Sequence, residues 1–415
     1  MRILYLADIR FPLERANGIQ TMETCYALAA RGHEVSLAVR PDSHEPKRDP
    51  FAFYGLPRLQ ALHVETVAIG GPPPARRAGY LTFGVGRAMG RVRQDVIFTR
   101  DLGLAAILVR LPRLVRGPVV YEAHTIAADE AAARHQMLTG AAAPSASKLR
   151  RLAARDRAVW RGADGFVTIT AGLRAELEHR YGPRERVAVV PDGVRTVPTA
   201  SNPEPRTPAN EPRTPNPEPR ISDIAHRTSD IGPFTIGYAG HLYPWKGADL
   251  IVEAVAALPD TQALIVGGHE QEPDLARVKA LAERLDCATR IRFTGLVPPP
   301  EVVGRLRSAD VLVLPNPASA VSNRYTSPLK LFEYMAAGRP IVASDLPSVR
   351  EVLRHERNAL LVPAGNPQAF TAAIRRLKDD RALGDRLADQ AREDVRDYTW
   401  AKRAERLEAV FEALR

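Results

Sequence analysis

Lysine is scarce in this 415-residue chain, at 7 of 58 basic residues. Two of the seven stand at the entrances of helical patterns. The first lies in Ser327-Pro328-Leu329-Lys330-Leu331-Phe332-Glu333-Tyr334-Met335-Ala336-Ala337-Gly338. Ser327 is a good N-cap and Pro328 suits the first helical position. Gly338 and the following Arg339-Pro340 end the pattern. The first turn leaves the N–H groups of Leu329 and Lys330 unpaired, at the positive end of the helix dipole. That is an anion site, and Lys330 adds a full charge. Glu333, one turn inward, offers a carboxylate to two hydroxyls. Phosphate at the entrance and a polyol one turn further is what a nucleotide presents. Taken alone, the segment also reads as an ordinary capped helix with a surface Lys and Glu.

The second lysine lies in Ala239-Gly240-His241-Leu242-Tyr243-Pro244-Trp245-Lys246-Gly247, between a strand pattern and a helix from Ala248. Gly240 permits a tight turn, Lys246 reaches an anion at the strand end as a compact charge, and His241 is placed to donate to the same group. In the first half, Ala16-Asn17-Gly18-Ile19 follows a strand, with one glycine and no G-x-G-x-x-G. His124 follows another strand in Tyr121-Glu122-Ala123-His124, where a structural histidine is the alternative. Arg100 and Asp101 read as a salt-bridged structural pair. The chain has no D-x-D, H-E-x-x-H, C-x-x-C, G-x-x-x-x-G-K-[ST] or G-x-S-x-G, so metallohydrolases, P-loop ATPases and serine hydrolases of the usual kinds lose support.

The elements that must position these residues follow one grammar on both sides of a low-complexity stretch. Residues 198–220 hold eight prolines, and NPEPR occurs twice. Residues 196–232 therefore read as a flexible, partly extended linker, with a Pro-rich docking ligand as the alternative. Before it, strands are expected at Ile3–Ala7, Glu34–Val39, Val96–Thr99, Pro118–Glu122, Gly165–Ile169 and Val187–Val190. After it they are expected at Thr235–Tyr238, Gln262–Val266, Ile291–Thr294, Val311–Leu314, Pro340–Ala343 and Ala359–Val362. Helical patterns lie between, such as Ile19–Arg31 with Ile19, Met22, Tyr26 and Ala29 along one face. Such alternation implies α/β folding with doubly wound parallel sheets. Two such halves imply two Rossmann-like domains facing across a cleft, with ligands at the carboxyl ends of strands. The expected organisation is a domain over 1–195, the linker, and a domain over 233–397.

Composition adds bounds. An apolar fraction of 45% and a charged fraction of 26% fit a soluble globular protein. Cys25 and Cys287, far apart, fit neither a disulfide scaffold nor a zinc cluster. No apolar run reaches the length of a membrane span, and MRILYLAD reads as a strand rather than a signal peptide. The expected location is the cytoplasm. Residues 1–195 carry 29 Lys+Arg against 19 Asp+Glu, whereas residues 196–415 carry 29 against 29. The basic half suits an anionic partner, or reflects an Arg-rich bias. Lys148–Arg161 holds six basic residues on an expected helix with Leu149, Leu152, Val159 and Trp160 apolar. It reads either as a core helix with a solvated Arg face or as a peripheral contact with the anionic inner face of a membrane. No nucleic-acid recognition motif is present, so no nucleic-acid partner is expected.

Taken in order, these residues resemble the family-4 glycosyltransferases of GT-B architecture. The resemblance runs through Asn17-Gly18-Ile19-Gln20, Arg31-Gly32-His33-Glu34-Val35, Glu122-Ala123-His124, Val190-Pro191-Asp192-Gly193-Val194 and the Gly240-to-Gly247 turn. It continues through Phe293-Thr294-Gly295-Leu296-Val297, Glu333 to Ser344, and Tyr398-Thr399-Trp400. It implies retaining transfer of a sugar from a nucleotide-diphosphate donor (UDP, GDP or ADP) without a bound metal or permanent cofactor. The acceptor is expected to be a glycan, a lipid-linked glycan or a small molecule. The second domain would hold the nucleotide, and the last helix, 398–415, would pack back on the first domain. The family pairs Arg and Lys at the diphosphate, where this chain has His241 and Lys246. It also has two glutamates seven residues apart, where this chain has Tyr325 (which Asn323 and Arg324 precede) and Glu333. Lys246, Lys330, the N–H groups of Leu329 and Lys330, and His241 would stabilise the leaving diphosphate, and Glu333 would hold the ribose. Leu296 and Val297 would border the base, Gly18 would let the first domain approach on closure, and His124 would meet the donor sugar or orient the acceptor. A nucleotide-sugar 2-epimerase and a non-catalytic nucleotide-sugar-binding protein are the rival readings.

Overall fold

The computed structural model describes residues 1–90, 92–137, 142–195, 233–270, 272, 274–325 and 327–415. The expected linker therefore lies outside the described residues. Two all-parallel sheets carry the chain. The first contains β1 (Arg2–Arg10), β2 (Glu34–Arg40), β3 (Leu62–Thr66), β4 (Val96–Thr99), β5 (Val119–Ala123), β6 (Gly165–Thr168) and β7 (Val187–Val189). Its order is β3-β2-β1-β4-β5-β6-β7. The second contains β8 (Phe234–Ala239), β9 (Thr261–Val266), β10 (Ile291–Phe293), β11 (Val311–Leu314), β12 (Ile341–Ser344) and β13 (Leu360–Val362), in the order β10-β9-β8-β11-β12-β13. Both orders reverse beside the first strand of the sheet, between β1 and β4 and between β8 and β11. Those switch points are where doubly wound sheets open crevices for ligands.

Alternation along β1 shows why the sheet is buried on both faces. Ile3 and Tyr5 pack with Met22, Cys25 and Phe411 on one side. Leu4 and Leu6 pack with Tyr80 and Leu104 on the other. β3 was not expected, because Leu62-His63-Val64-Glu65-Thr66 is polar at alternate positions. It is the edge strand, and its burial is correspondingly incomplete. The helix Ala16–Ala30 is buried on more than the single face expected. It packs against both the sheet and the last helix, Trp400–Glu412, so Thr21 and Thr24 are as buried as Met22, while Ile19 and Tyr26 are only half-buried. In Ala146–Gly162 the apolar side is used in the core. Val159 and Trp160 are buried, and Lys148, Arg150, Arg151, Arg157 and Arg161 face solvent. No helix of the described residues is long and apolar enough to cross a membrane. Cys25 and Cys287 are buried free thiols.

Candidate functional site

The helix Leu329–Ala337 buries Leu329, Leu331, Phe332, Tyr334, Met335 and Ala337. Lys330 and Glu333, three residues apart and half-buried, share its remaining face. Two bonds fix that face against the end of β8. The Ala239 N–H donates to the Tyr334 hydroxyl at 2.8 Å, and Lys330 Nζ donates to the Tyr238 hydroxyl at 2.8 Å while lying 4.0 Å from the centre of its ring. Gly240 makes room for this lysine. Its φ is +126°, and a Cβ there would stand 2.9 Å from Lys330 Nζ.

A cavity of about 580 Å³ opens above these groups. Lys246, Gly240 and His241 line it from the loop after β8, Gly295, Leu296 and Val297 from the loop after β10, and Pro328, Leu329, Lys330 and Glu333 from the helix. Glu14, Arg15, Asn17 and Ile19 close it from the first domain. Burial pushes the Lys330 ammonium well below the ordinary lysine range, and the charge of Lys246 pushes the same way. The two cations therefore act on one place. Burial also lowers the Lys246 ammonium. Burial raises the Glu333 carboxyl to about 7, against the pull of Lys330. Two desolvated cations beside first-turn N–H groups make a site for an anion. A carboxylate one turn away suits hydroxyls, and the exposed Leu296 with Val297 offers an apolar border.

Several expected residues are used otherwise. The helix starts at Leu329 with Pro328 at its N-cap and no side-chain cap. Ser327 therefore does not cap it, and it lines a separate cavity of about 180 Å³ with Phe332 and Tyr398. Gly18 does not face the cavity. Its missing side chain is needed inward, where a Cβ would meet the Leu13 carbonyl at 2.4 Å and the Tyr54 hydroxyl at 2.5 Å. His241 lines the cavity with its Nδ1 on Glu272, whose other oxygen accepts from the Leu242 N–H at 2.7 Å. Arg100 and Asp101 do not pair with each other. Asp101 binds Arg77, and Arg100 donates to Asn17 and Gln20.

His124 stands outside the cavity wall, with Nε2 on Glu122. Glu122, His124 and Asp192 bring polar atoms within 4.8 Å of one another, and the cation among them is the guanidinium of Arg403. Tyr325 does not line the cavity. It is 1% exposed in an apolar cluster with Tyr121, Trp160 and Phe166, and its hydroxyl donates to Asp129 Oδ2 at 2.6 Å. Thr170 Oγ1 donates to the Arg324 carbonyl at 2.9 Å, and Glu351 accepts from the N–H groups of Ala171 and Gly172. These bonds form a seam between the domains. Glu272, Arg15 and the stacked pair Tyr243 and Trp245, with ring centres 4.6 Å apart, also line the cavity. No local sequence signal pointed to Glu272, which lies 31 residues from His241.

Residues 18–193 match the glycosyl transferase 4-like domain, and residues 233–380 match the glycosyl transferases group 1. The chain belongs to the family-4 type of glycosyltransferase. It is 30% identical over 186 residues to the D-inositol 3-phosphate glycosyltransferase of Corynebacterium glutamicum, a match covering 43% of this chain and 43% of that relative's length. Its fold is similar over 100% of the chain to sucrose-phosphate synthase from Thermosynechococcus elongatus (TM-score 0.74, 19% identity, 99% of that chain). It is also similar over its whole length to Anabaena HepE in complex with UDP-glucose (TM-score 0.70, 17% identity, 100% of that chain). The two facing parallel-sheet domains are thus the GT-B architecture.

Proposed function

We propose that this glycosyltransferase moves a sugar from a nucleotide-diphosphate donor to an acceptor hydroxyl, with retention at the anomeric carbon and without a metal ion. One observation carries the reading. Lys246, Lys330 and the first turn of Leu329–Ala337 line a single interdomain cavity with Glu333. Breaking the anomeric C–O bond places negative charge on the departing diphosphate. Preorganised donors at those oxygens lower the barrier, each by about 3–4 kcal/mol. Lys246, Lys330 and the N–H groups of Leu329 and Lys330 take that role. Glu333 holds the ribose, Leu296 and Val297 border the base, and His124 meets the sugar or acceptor. The departing phosphate takes the acceptor proton on the same face. UDP-glucose is the first donor to test, because HepE binds it.

The test is a thermal-shift screen against UDP, GDP and ADP sugars, followed by product analysis with acceptors. A donor that raises stability and yields a glycoside with retained configuration supports the reading. Isomerised donor without acceptor favours the epimerase, and binding without turnover across a broad acceptor panel favours a binding protein.

A further inference from the structure

The last helix, Trp400–Glu412, follows directly on the second domain and packs against Ala16–Ala30 of the first. Its inward residues are Trp400, Ala404, Leu407, Phe411 and one arginine, Arg403, which is 1% exposed. A buried guanidinium is costly unless its donors are met, and an apolar residue of similar volume usually serves stability as well. Packing therefore does not by itself call for an arginine here. Every nitrogen of the fork is nevertheless engaged. Nη2 donates to Glu122 Oε2 at 2.7 Å, Nε donates to Thr24 Oγ1 at 3.0 Å, and Nη1 donates to the carbonyls of Val190 and Pro191 at 2.9 and 3.0 Å.

The other oxygen of Glu122 serves the cleft. Oε1 meets His124 Nε2 and accepts from Gln20 Nε2 at 2.8 Å. The Gln20 oxygen accepts from Arg100, whose Nη1 also donates to Asn17 Oδ1 at 2.9 Å, and Asn17 lines the donor cavity. A continuous hydrogen-bond chain thus runs from the last helix to the lip of the cavity. Accepting at both oxygens, with Arg403 on one of them, suits Glu122 as the carboxylate. Burial alone would raise its carboxyl, and the charges of Arg403, His124 and Arg100 override that and hold it far below the ordinary range.

We propose that Arg403 is a positioning residue for sugar transfer: by pinning Glu122 Oε2 it reserves Oε1 for His124 and Gln20, and so orients the imidazole and the Asn17 lip. This inference rests on the glycosyl-transfer reading of the cleft. With Nε2 held on Glu122, Nδ1 is the nitrogen of His124 left for a substrate. Three groups face that ring, Glu122 on β5, Arg100 after β4 and Asp192 after β7, and Arg403 on the last helix holds two of them, Glu122 and Asp192. Removing the charge of Arg403 leaves those two carboxylates without their shared cation, with only Arg100 opposing them at the ring, and this favours the imidazolium.

The experiment uses the full chain with labelled histidines, the His124 resonance being assigned by its loss in H124Q. In R403M the His124 midpoint is expected to rise by about one pH unit. The acid limb of the pH–rate profile should move with it, and kcat should fall about tenfold or more while the donor KM stays within about threefold. R403K keeps the charge and is expected to hold the midpoint near the wild-type value. A folded R403M with an unchanged midpoint, or with a raised donor KM and unchanged kcat, overturns the proposal. Should R403M fail to fold, R403M/E122Q carries the test, because it removes the buried Arg403 and Glu122 charges together. There the midpoint is expected to fall below wild type with low turnover, and a wild-type midpoint or wild-type turnover overturns the proposal. A wild-type chain that turns over no donor rejects the glycosyl-transfer reading instead, and the titrations still decide whether Arg403 governs His124.

Discussion

Replacing Glu333 with glutamine is expected to stabilise the empty protein and to weaken its hold on nucleotide. The carboxyl stands at about 7 in the folded chain against an ordinary 4.5, because burial disfavours its charge. The folded state therefore binds this proton more tightly than the unfolded state does. Stability from the group is complete below the unfolded value and is lost as pH rises through about 7. The shift of roughly 2.5 units corresponds to about 3 kcal/mol at most, reduced to about 1–2 kcal/mol because the group is half-buried and faces an open cavity. Glutamine imitates the protonated acid. Denaturant unfolding at pH 8 should show E333Q more stable by that amount, with the gap closing as pH falls towards 5. Calorimetry with UDP should show the opposite preference. Losing hydrogen bonds from ribose hydroxyls to a carboxylate costs about 1.5–3 kcal/mol, or about 10–100-fold in Kd. A variant less stable than wild type at pH 8 would mean that the carboxylate is structurally paired. Equal Kd values would remove Glu333 from the ribose.

Three further outcomes are expected. Lys246→Ala should lower turnover by about 10² or more in a protein that stays folded by circular dichroism, and a tenfold effect or less would remove Lys246 from leaving-group stabilisation. Because the free Lys330 ammonium is held well below the ordinary lysine range, a bound diphosphate should restore its proton. UDP affinity should then fall as pH rises through the free-state value, calorimetry in buffers of different ionisation enthalpy should register proton uptake, and Lys330→Met should abolish that uptake. Tyr325→Phe should cost about 1–2 kcal/mol of stability by denaturant unfolding, through the lost bond to Asp129, with UDP affinity within about twofold of wild type. A tenfold loss of affinity would return Tyr325 to the donor site.

Twelve of the thirteen strands could be read from short apolar runs, because strands buried on both faces write their burial directly into sequence. The exception, Leu62–Thr66, is an edge strand with His63 and Thr66 exposed and only Leu62 buried. Lys246, Lys330, Glu333, Leu296 and Val297 were legible because each follows closely on a strand or opens a helix, and such positions share one rim by topology. The long-range partners of His241, Glu122 and Tyr325 were not. Glu272 reaches His241 across 31 residues, Arg403 reaches Glu122 across 281, and Tyr325 reaches Asp129 across 196. No local period encodes such pairs. Gly18 shows a different gap. Its position was legible, but the direction of its close approach depends on Leu13 and Tyr54, which only the folded loop brings together.

The two departures from the family pattern have the same physical character. At position 241 the arginine is replaced by a histidine whose Nδ1 is spent on Glu272. That ring brings at most one remaining N–H to the cavity, where a guanidinium would bring a charged fork. At position 325, where the resemblance implies a carboxylate, a tyrosine bonds Asp129 at the interdomain seam, so the proposed donor side carries one negative charge fewer as well. The substitutions thus compensate in charge: a cation is weakened where an anion is withdrawn. What remains where the diphosphate is proposed to bind is two lysines and a helix entrance, with no third full cation on the second domain among the lining residues. Loss of Lys246 therefore has no neighbouring arginine on that domain to absorb it, and this places its expected effect at or above the cost of a single preorganised donor.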